Sequence, residues 1–403
     1  MNPSASGWIP KFLNLFEKHQ LIGGFKNEST FYNHLKTTGF LYGVSVKALL
    51  NEPISNLKIT KVEYTKINLF HTLLFTFFNK NPNAEFVDAI KSIINFYKIL
   101  EKGKTGLLYK LSLSHSPSDN LEHIISARLQ ETNSLIKKKS TSILTYTLLF
   151  VDVLTYRNYL NSPRNLKRFA INLENTLINC CFLALLTKKN KDKFDQQLIN
   201  LFESSTDYLL NDNRQNKFYS IENLTGLSVY DIFEKRYILD FCCLTVWDDR
   251  VLDESEYQFL NRLTELLNFS NKEFLLSIKQ LKEFSDTYSK KIKLFEYPNP
   301  LNQLYKQSSE MVKLLILRNK NRLLKELEES GELLLLLRQS TFRDLSSEEK
   351  NKIKNQLLDI CKTVPSLTIF LIPGGSLLLP LLVKYIPSLL PSAFQENRID
   401  KKS

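Results

Sequence analysis

Residues 368–394 read TIFLIPGGSLLLPLLVKYIPSLLPSAF, an apolar stretch that contains four prolines. Each proline removes a backbone hydrogen-bond donor and obstructs the helical turn before it. The stretch therefore predicts short apolar helices separated by kinks, and not one straight helix. The four prolines are Pro373, Pro380, Pro387 and Pro391.

The uncharged run from Thr363 to Val383 is about as long as a bilayer-spanning helix, which needs roughly 20 apolar residues. Prolines and glycines lie inside this run, and the backbone groups that they leave free need protein or water partners in lipid. Two interpretations therefore stay open. The run is either a membrane span or a buried, proline-framed segment of a soluble or surface-bound domain.

The same region carries a fixed spacing of prolines and one lysine within Leu371–Phe394. The spaced residues are Ile372-Pro373, Leu378-Leu379-Pro380, Lys384, Pro387 and Leu390-Pro391-Ser392-Ala393-Phe394. This pattern resembles, without a gap, the start of the ribosome-binding domain of the LETM family of mitochondrial inner-membrane proteins. Ser346–Pro365 is similar to the helix that precedes it in that family. The resemblance covers about the last sixty residues and implies a bacterial protein of the LETM-related, biofilm-associated type.

One position departs from the family pattern. Family members carry an acidic residue between the first two prolines, where this chain has Ser376. A carboxylate at membrane depth is usually retained for ion or proton handling, and a serine cannot carry a proton away. The departure weakens the cation/proton exchange that the resemblance implies, and it favours docking to a ribosome or a membrane.

Composition and periodicity predict an all-α fold. Only 11 of the 403 residues are glycine, and apolar residues recur with a helical period, as in Phe259, Leu260, Leu263, Leu266 and Leu267. We expect multi-helix bundles and a C-terminal helical domain that contains the proline-broken segment. The net charge of +12 predicts attraction to a phosphate-rich partner or an anionic membrane face.

Capping residues mark several predicted helix starts. Ser or Asn followed by proline is typical of a first helical turn, and a short acceptor three residues before a carboxylate is typical of a capping box. The first pattern occurs at Asn81-Pro82, Ser116-Pro117, Ser162-Pro163 and Asn299-Pro300, and the second at Asp253/Glu256, Ser270/Glu273 and Ser346/Glu349.

The domain boundaries follow from the linkers. The two prolines of Tyr297-Pro298-Asn299-Pro300 disfavour a continuous helix, and a polar stretch begins near Asn211. Residues 237–284 contain an apolar helix ending at Trp247, the run from Asp248 to Glu256, a helix with Phe259 and Leu263, and a helix start at Ser270–Glu273. This arrangement resembles the TerB-like helical domain. We therefore divide the chain into a helical domain of unknown type (residues 1–210), a TerB-like domain (residues 211–296) and a LETM-like domain (residues 300–403).

We find no pattern that predicts catalysis, and we expect no enzyme activity, no metal, no cofactor and no DNA partner. The acidic residues Asp248, Asp249, Asp253, Glu254 and Glu256 lack the glycine and the third-position ligand of an EF-hand loop. The cysteines occur as two adjacent pairs and one single residue, which predicts buried free thiols in a reducing compartment. They are Cys180, Cys181, Cys242, Cys243 and Cys361.

Cationic side chains near the C-terminus are the candidate ribosome-binding residues, because lysine and arginine neutralise RNA phosphates. These residues are Arg338, Arg343, Lys350, Lys352, Lys354 and Lys384. A purely solvated amphipathic helix is the alternative, since acidic residues lie among the lysines. Candidate membrane contacts are the apolar residues Phe370, Leu371, Ile372, Leu377, Leu378 and Leu379. The five leucines at 333–337 are expected to be buried against partners or a membrane.

The leading hypothesis is a non-enzymatic protein of the bacterial cytoplasm that is peripheral to, or inserted in, the inner membrane and binds ribosomes or another phosphate-rich partner. Two alternatives are a membrane component for cation/proton exchange and a TerB-like stress or envelope scaffold. The sequence leaves the oligomeric state and the role of residues 1–210 undetermined.

Overall fold

The computed structural model describes residues 1–50, 59–103, 116–133, 146–189, 191, 199, 221–224, 226–247, 252–288, 312, 316, 320–363 and 379–389. All regular elements in this part of the chain are helices, and none of its residues forms a strand. The all-α, multi-helix prediction is therefore confirmed.

The chain forms two compact units. The first comprises Met1–Lys191 and Phe218–Leu304, and the second comprises Asp192–Lys217 and Tyr305–Ser403. The proposed TerB-like residues fall almost entirely within the first unit, and the proposed LETM-like residues fall mainly within the second. The three-part division of the sequence stays a prediction.

The first unit contains eleven α-helices among its described residues. They are α1 (Trp8–Leu15), α2 (Lys18–Ile22), α3 (Glu28–Thr38), α4 (Lys61–Lys80), α5 (Phe86–Leu100), α6 (Pro117–Asn133), α7 (Leu149–Asn161), α8 (Leu166–Thr187), α9 (Ile232–Val246), α10 (Glu254–Leu266) and α11 (Asn271–Tyr288). Short 3₁₀ turns are Phe40–Tyr42, Ile221–Asn223 and Leu227–Val229.

Local hydrogen bonds set several of the predicted helix starts. The Asp253 side chain accepts a hydrogen bond from the Glu256 amide at 2.9 Å, and the Glu256 side chain accepts one from the Asp253 amide, so α10 begins with a capping box. The Ser116 hydroxyl accepts a hydrogen bond from the Asp119 amide at 3.2 Å, and α6 begins at the proline that follows Ser116. These starts confirm the predictions made from the sequence.

Two predicted helix starts are wrong. Asn81 caps the C-terminal end of α4, and α5 begins later, at Phe86, after Glu85. Ser162 likewise ends α7, and α8 begins after Asn165. A proline can follow a helix end as well as open a helix, because it cannot continue the preceding helix in either case. The Asn299-Pro300 pair lies outside the described residues.

Helix α8 packs against α5, α7, α9 and α10, and α11 packs against α3, α9 and α10. Among the described residues, α8 is the one helix long and apolar enough to cross a membrane. Most of its apolar length is buried inside the protein. Its burial by neighbouring helices is typical of a core helix.

A cluster of four buried charged side chains joins the helices of the first unit. The Asp152 carboxylate accepts hydrogen bonds from Lys102 Nζ at 3.0 Å and from Arg128 Nε at 2.7 Å. Glu174 on α8 lies 3.5 Å from Lys102 Nζ. Two cations and two carboxyl groups thus face one another, so that the buried charges compensate.

All five cysteines are free and buried, which confirms the prediction of buried free thiols. The thiol of Cys181 on α8 lies 3.0 Å from the Thr245 hydroxyl on α9. Burial raises the pKa of Cys243, and it raises the pKa of Cys361 to about 12. The thiols of Cys243 and Cys361 therefore stay protonated and unreactive at neutral pH.

The second unit contains four α-helices in its described part. They are α12 (Lys320–Glu329), α13 (Gly331–Gln339), α14 (Ser347–Thr363) and α15 (Leu379–Tyr385), and a 3₁₀ turn, Ile386–Leu389, follows α15. Helix α13 packs against α12, α14 and the 3₁₀ turn. The prediction of short helices in the proline-rich stretch is confirmed for residues 379–389, whereas residues 364–378 lie outside the described part.

Candidate functional site

The candidate ribosome-binding residues are presented mainly by the hairpin of α13 and α14. Ser346 caps α14, since its amide donates to the Glu349 carboxylate at 2.8 Å and its hydroxyl accepts from the Glu349 amide at 3.3 Å. Apolar residues on the facing sides of the two helices, including Leu337, Ile353 and Leu357, are buried. The hairpin core therefore leaves the polar faces of both helices toward solvent.

Arg343 lies in the turn between the two helices and is exposed. Its guanidinium donates two hydrogen bonds to the Glu349 carboxylate, at 2.5 and 2.9 Å. The hydrogen bond from Arg343 is the largest of the causes that lower the pKa of Glu349 to about 2. Arg343 therefore stabilises the start of α14 as well as supplying a cation at the surface.

Lys352 extends from α14 to α13. Its Nζ lies 2.8 Å from the Glu332 carboxylate, and Gln356 donates a hydrogen bond to the same carboxylate at 3.2 Å. The hydrogen bond and charge of Lys352 lower the pKa of Glu332, and those of Glu332 raise the pKa of Lys352. Sequence reasoning missed this pair, because its members lie on different helices.

The remaining cations differ in exposure. Arg338, Lys350 and Lys354 are half-buried, and burial lowers the pKa of Lys354. Lys384 on α15 is exposed, with its Nζ 5.7 Å from the centre of the Tyr385 ring. Five of the six candidates thus lie on the hairpin.

Lys384 stands apart from the hairpin in sequence but belongs to the same unit. The 3₁₀ turn that follows it packs against α13. Pro380 and the aliphatic residues Leu381 and Leu382 are buried, so this described part of the proline-rich stretch contributes to the core of the unit. Lys384 is therefore an exposed cation on an otherwise buried element.

The candidate membrane-contacting residues fall mostly outside the described part of the chain. Phe370, Leu371, Ile372, Leu377 and Leu378 lie there, and Leu379 is the first residue of α15. Their proposed contact with a membrane stays a prediction.

The leucine run at 333–337 divides between the interior and the surface of the second unit. Leu333, Leu336 and Leu337 are buried, whereas Leu335 is 58% exposed. Phe342, in the turn after α13, is also exposed. Sequence inspection did not single out Phe342, because an isolated aromatic residue has no periodic pattern that shows its exposure.

Two of the acidic residues that could serve as ligands of a metal cation instead have a structural role. Asp253 and Glu256 form the capping box of α10, while Asp248 and Asp249 lie outside the described residues. No group of three or more potential metal ligands is found in the part of the chain that the structure describes.

The described residues define an all-α protein in which one helical hairpin carries five of the six candidate cations and packs against the 3₁₀ turn Ile386–Leu389. Residues 345–403 match the family model described as "LETM1-like, RBD". The end of the chain is therefore similar to a LETM-like ribosome-binding domain, as its proline and lysine spacing predicted. No match was found among curated proteins or among solved structures.

Proposed function

We propose that this protein is a non-enzymatic, membrane-peripheral protein that binds ribosomes through its C-terminal domain. The match of residues 345–403 to the LETM-like family model is the observation that carries the proposal. The six cations Arg338, Arg343, Lys350, Lys352, Lys354 and Lys384 are the proposed contacts. Ribosomal RNA offers them a dense surface of phosphates.

The ion pairs on the hairpin are compatible with this role. Arg343 and Lys352 are exposed, and ion pairs between exposed side chains contribute little to stability because water and salt screen them. A phosphate can therefore replace Glu349 or Glu332 as the partner at a small cost in free energy. The guanidinium of Arg343 suits a phosphate well because it donates in a planar fork.

Co-sedimentation with purified bacterial ribosomes tests the proposal. We expect the full chain to pellet with ribosomes at about 50 mM salt and to be largely released at about 200 mM, because phosphate contacts release counterions. Absence of pelleting at the lower salt concentration would remove the ribosome proposal.

A set of variants tests the proposed contacts. Arg338→Gln, Lys350→Gln and Lys384→Gln together are expected to weaken binding and to lower the salt dependence by roughly one unit of log–log slope per lost contact. The matched control replaces three exposed lysines of α11 in the first unit, Lys272, Lys279 and Lys282, with glutamine. If both triple variants bind ribosomes equally well, the C-terminal cations are not the ribosome contacts.

Membrane association is the second part of the proposal. It is supported by the apolar run from Thr363 to Val383 and by the net charge of +12. Carbonate extraction of cell membranes distinguishes the two forms of association, since a spanning protein resists extraction and a peripheral one is released. Recovery of all the protein in the untreated soluble fraction would contradict this part.

The other hypotheses stay predictions. Ser376 and the burial of α8 within the first unit give no support to cation/proton exchange. Residues 237–284 contain α10 and parts of α9 and α11, and their likeness to a TerB-like domain stays a prediction. A helical arrangement alone does not identify the partner of a scaffold.

A further inference from the structure

The positive charge of this protein is unevenly distributed along the chain. Residues 1–200 alone carry a net charge of +12, as large as that of the whole chain, whereas residues 201–300 are net acidic and residues 301–403 are net basic. The residues of the first unit, 1–191 and 218–304, together carry a net charge of +9, so most of the excess charge is not explained by the proposed ribosome contacts.

The start of α8 presents several of these cations to solvent. Lys167 and Arg168 are exposed, and Ile171 is exposed one turn further along. Spacings of three and four residues place these three side chains on the same side of the helix. Arg164, just before the helix, and Asn172 are exposed as well.

The end of α5 joins this face. Lys167 Nζ lies 2.7 Å from the Glu101 carboxylate, which is at the C-cap of α5. Lys98 and Ile99, in the last turn of α5, are exposed. We call the resulting surface the cationic ridge. It consists of Lys98, Ile99, Arg164, Lys167, Arg168 and Ile171.

The charge on the cationic ridge is poorly neutralised. Glu101 pairs with Lys167, but Lys98, Arg164 and Arg168 have no carboxylate partner in the described part of the chain. The positive end of the α8 dipole adds to the positive potential around Arg164, Lys167 and Arg168. The ridge therefore attracts an external anion.

The apolar members of the cationic ridge distinguish between anionic partners. Ile99 is 42% exposed and Ile171 is 38% exposed. Aliphatic side chains flanked by lysine and arginine suit the boundary between lipid headgroups and acyl chains. Single-stranded RNA sites instead use aromatic side chains on which bases stack, and the ridge contains none.

We infer that the cationic ridge of the first unit docks on the surface of an anionic lipid bilayer. Lys98, Arg164, Lys167 and Arg168 contact the headgroups, and Ile99 and Ile171 enter the interfacial layer. The inference rests on the membrane part of the proposed function and is independent of ribosome binding by the second unit.

Vesicle co-sedimentation with the full chain tests the inference. The probes are vesicles of phosphatidylcholine alone and vesicles that also contain phosphatidylglycerol. We expect binding to the anionic vesicles only, and at least about 100-fold weaker binding after Lys98→Glu, Arg164→Glu and Arg168→Glu together, since each lost cation contributes about fivefold and each new carboxylate adds repulsion. Ile99→Asn with Ile171→Asn is expected to weaken binding without changing its salt dependence.

The control variant carries Lys272→Glu, Lys279→Glu and Lys282→Glu on α11, which gives the same change in net charge at another exposed site. It is expected to keep most of the vesicle binding, and thermal unfolding establishes that both triple variants fold.

Equal losses of vesicle binding in the two variants, or no vesicle binding by the wild type, would overturn the inference. Loss of ribosome binding by the ridge variant, with vesicle binding retained, would also overturn it and would identify the ridge as an RNA contact. Ribosome pelleting by the wild type tests the other part of the proposed function and does not bear on the docking of the ridge.

Discussion

At the scale of single residues, Gly39 illustrates how backbone and packing act together. It ends α3 with a φ of 81°, in the left-handed region that favours glycine. A Cβ at this position would collide with the Val44 carbonyl and the Phe284 ring. Phe284 belongs to α11, so this one position couples the end of α3 to a helix more than two hundred residues away in the sequence.

Gly39→Ala is therefore expected to destabilise the first unit by more than the roughly 1–2 kcal/mol that the left-handed backbone alone costs. Gly226→Ala is the matched control, because Gly226 has a φ of 87° and open space where a Cβ would lie. Urea unfolding of both variants gives the comparison. Equal losses of stability would show that the contact with Phe284 relaxes freely.

His71 is a second residue with a measurable consequence. Its ring is buried, its Nε2 donates a hydrogen bond to the Leu21 carbonyl at 2.7 Å, and burial lowers its pKa to about 4. Because the folded pKa lies below the ordinary value near 6.5, the stability contribution is present above pH 6.5 and is lost as the pH falls toward 4.

We expect about 2 kcal/mol of this contribution to disappear between pH 7.5 and pH 5. In His71→Gln the free energy of unfolding should fall less over that interval. Burial raises the pKa of Glu234 to about 7, so the contribution of Glu234 to stability changes with pH in the opposite direction. This contribution is the same in the wild type and the variant, so it cancels when their free energies of unfolding are compared. An identical pH dependence of unfolding in both proteins would contradict the assignment.

At the scale of secondary structure, the leucine run of α13 separates core from surface within one helix. Leu337→Ala is expected to destabilise the second unit by about 2–5 kcal/mol, because Leu337 is fully buried. Leu335→Ala should change stability by less than about 0.5 kcal/mol, because Leu335 is 58% exposed. Chemical unfolding followed by circular dichroism measures both. Similar losses would place Leu335 in an interface.

At the scale of the whole molecule, the buried charges of the first unit connect segments that are distant in sequence. Arg128 and Lys102 lower the pKa of Asp152 against the opposing effect of burial, while burial raises the pKa of Glu174. Each charged side chain of this buried cluster is stabilised by the opposite charges beside it. Removing one side chain therefore leaves a buried charge without its partner.

Asp152→Asn is therefore expected to destabilise the protein by about 3–5 kcal/mol, since it leaves two buried cations facing Glu174 alone. The control is Lys279→Ala, whose ion pair with Glu283 is exposed and spans 3.9 Å. Thermal unfolding of the two variants tests the contrast. A change of less than about 1 kcal/mol in Asp152→Asn would show that the cluster is not stabilising.

The helical class, the starts of α6, α10 and α14, and the LETM-like character of residues 345–403 could all be predicted from the amino-acid sequence. These features depend on local hydrogen bonds, on helical periodicity and on proline spacing, which are properties of neighbouring residues. The residues before the prolines at 82 and 163 end helices and do not begin them, because a proline marks a helix boundary without giving its direction.

Only the packing of the helices shows which charged residues form ion pairs with one another. The pairing of Lys352 with Glu332, the buried cluster around Asp152 and the contact between Lys167 and Glu101 each join different elements. Periodicity gives the face of a helix on which a side chain lies, but it does not give the helix that packs against that face. Charge partners and exposed cations are therefore properties of the packed fold.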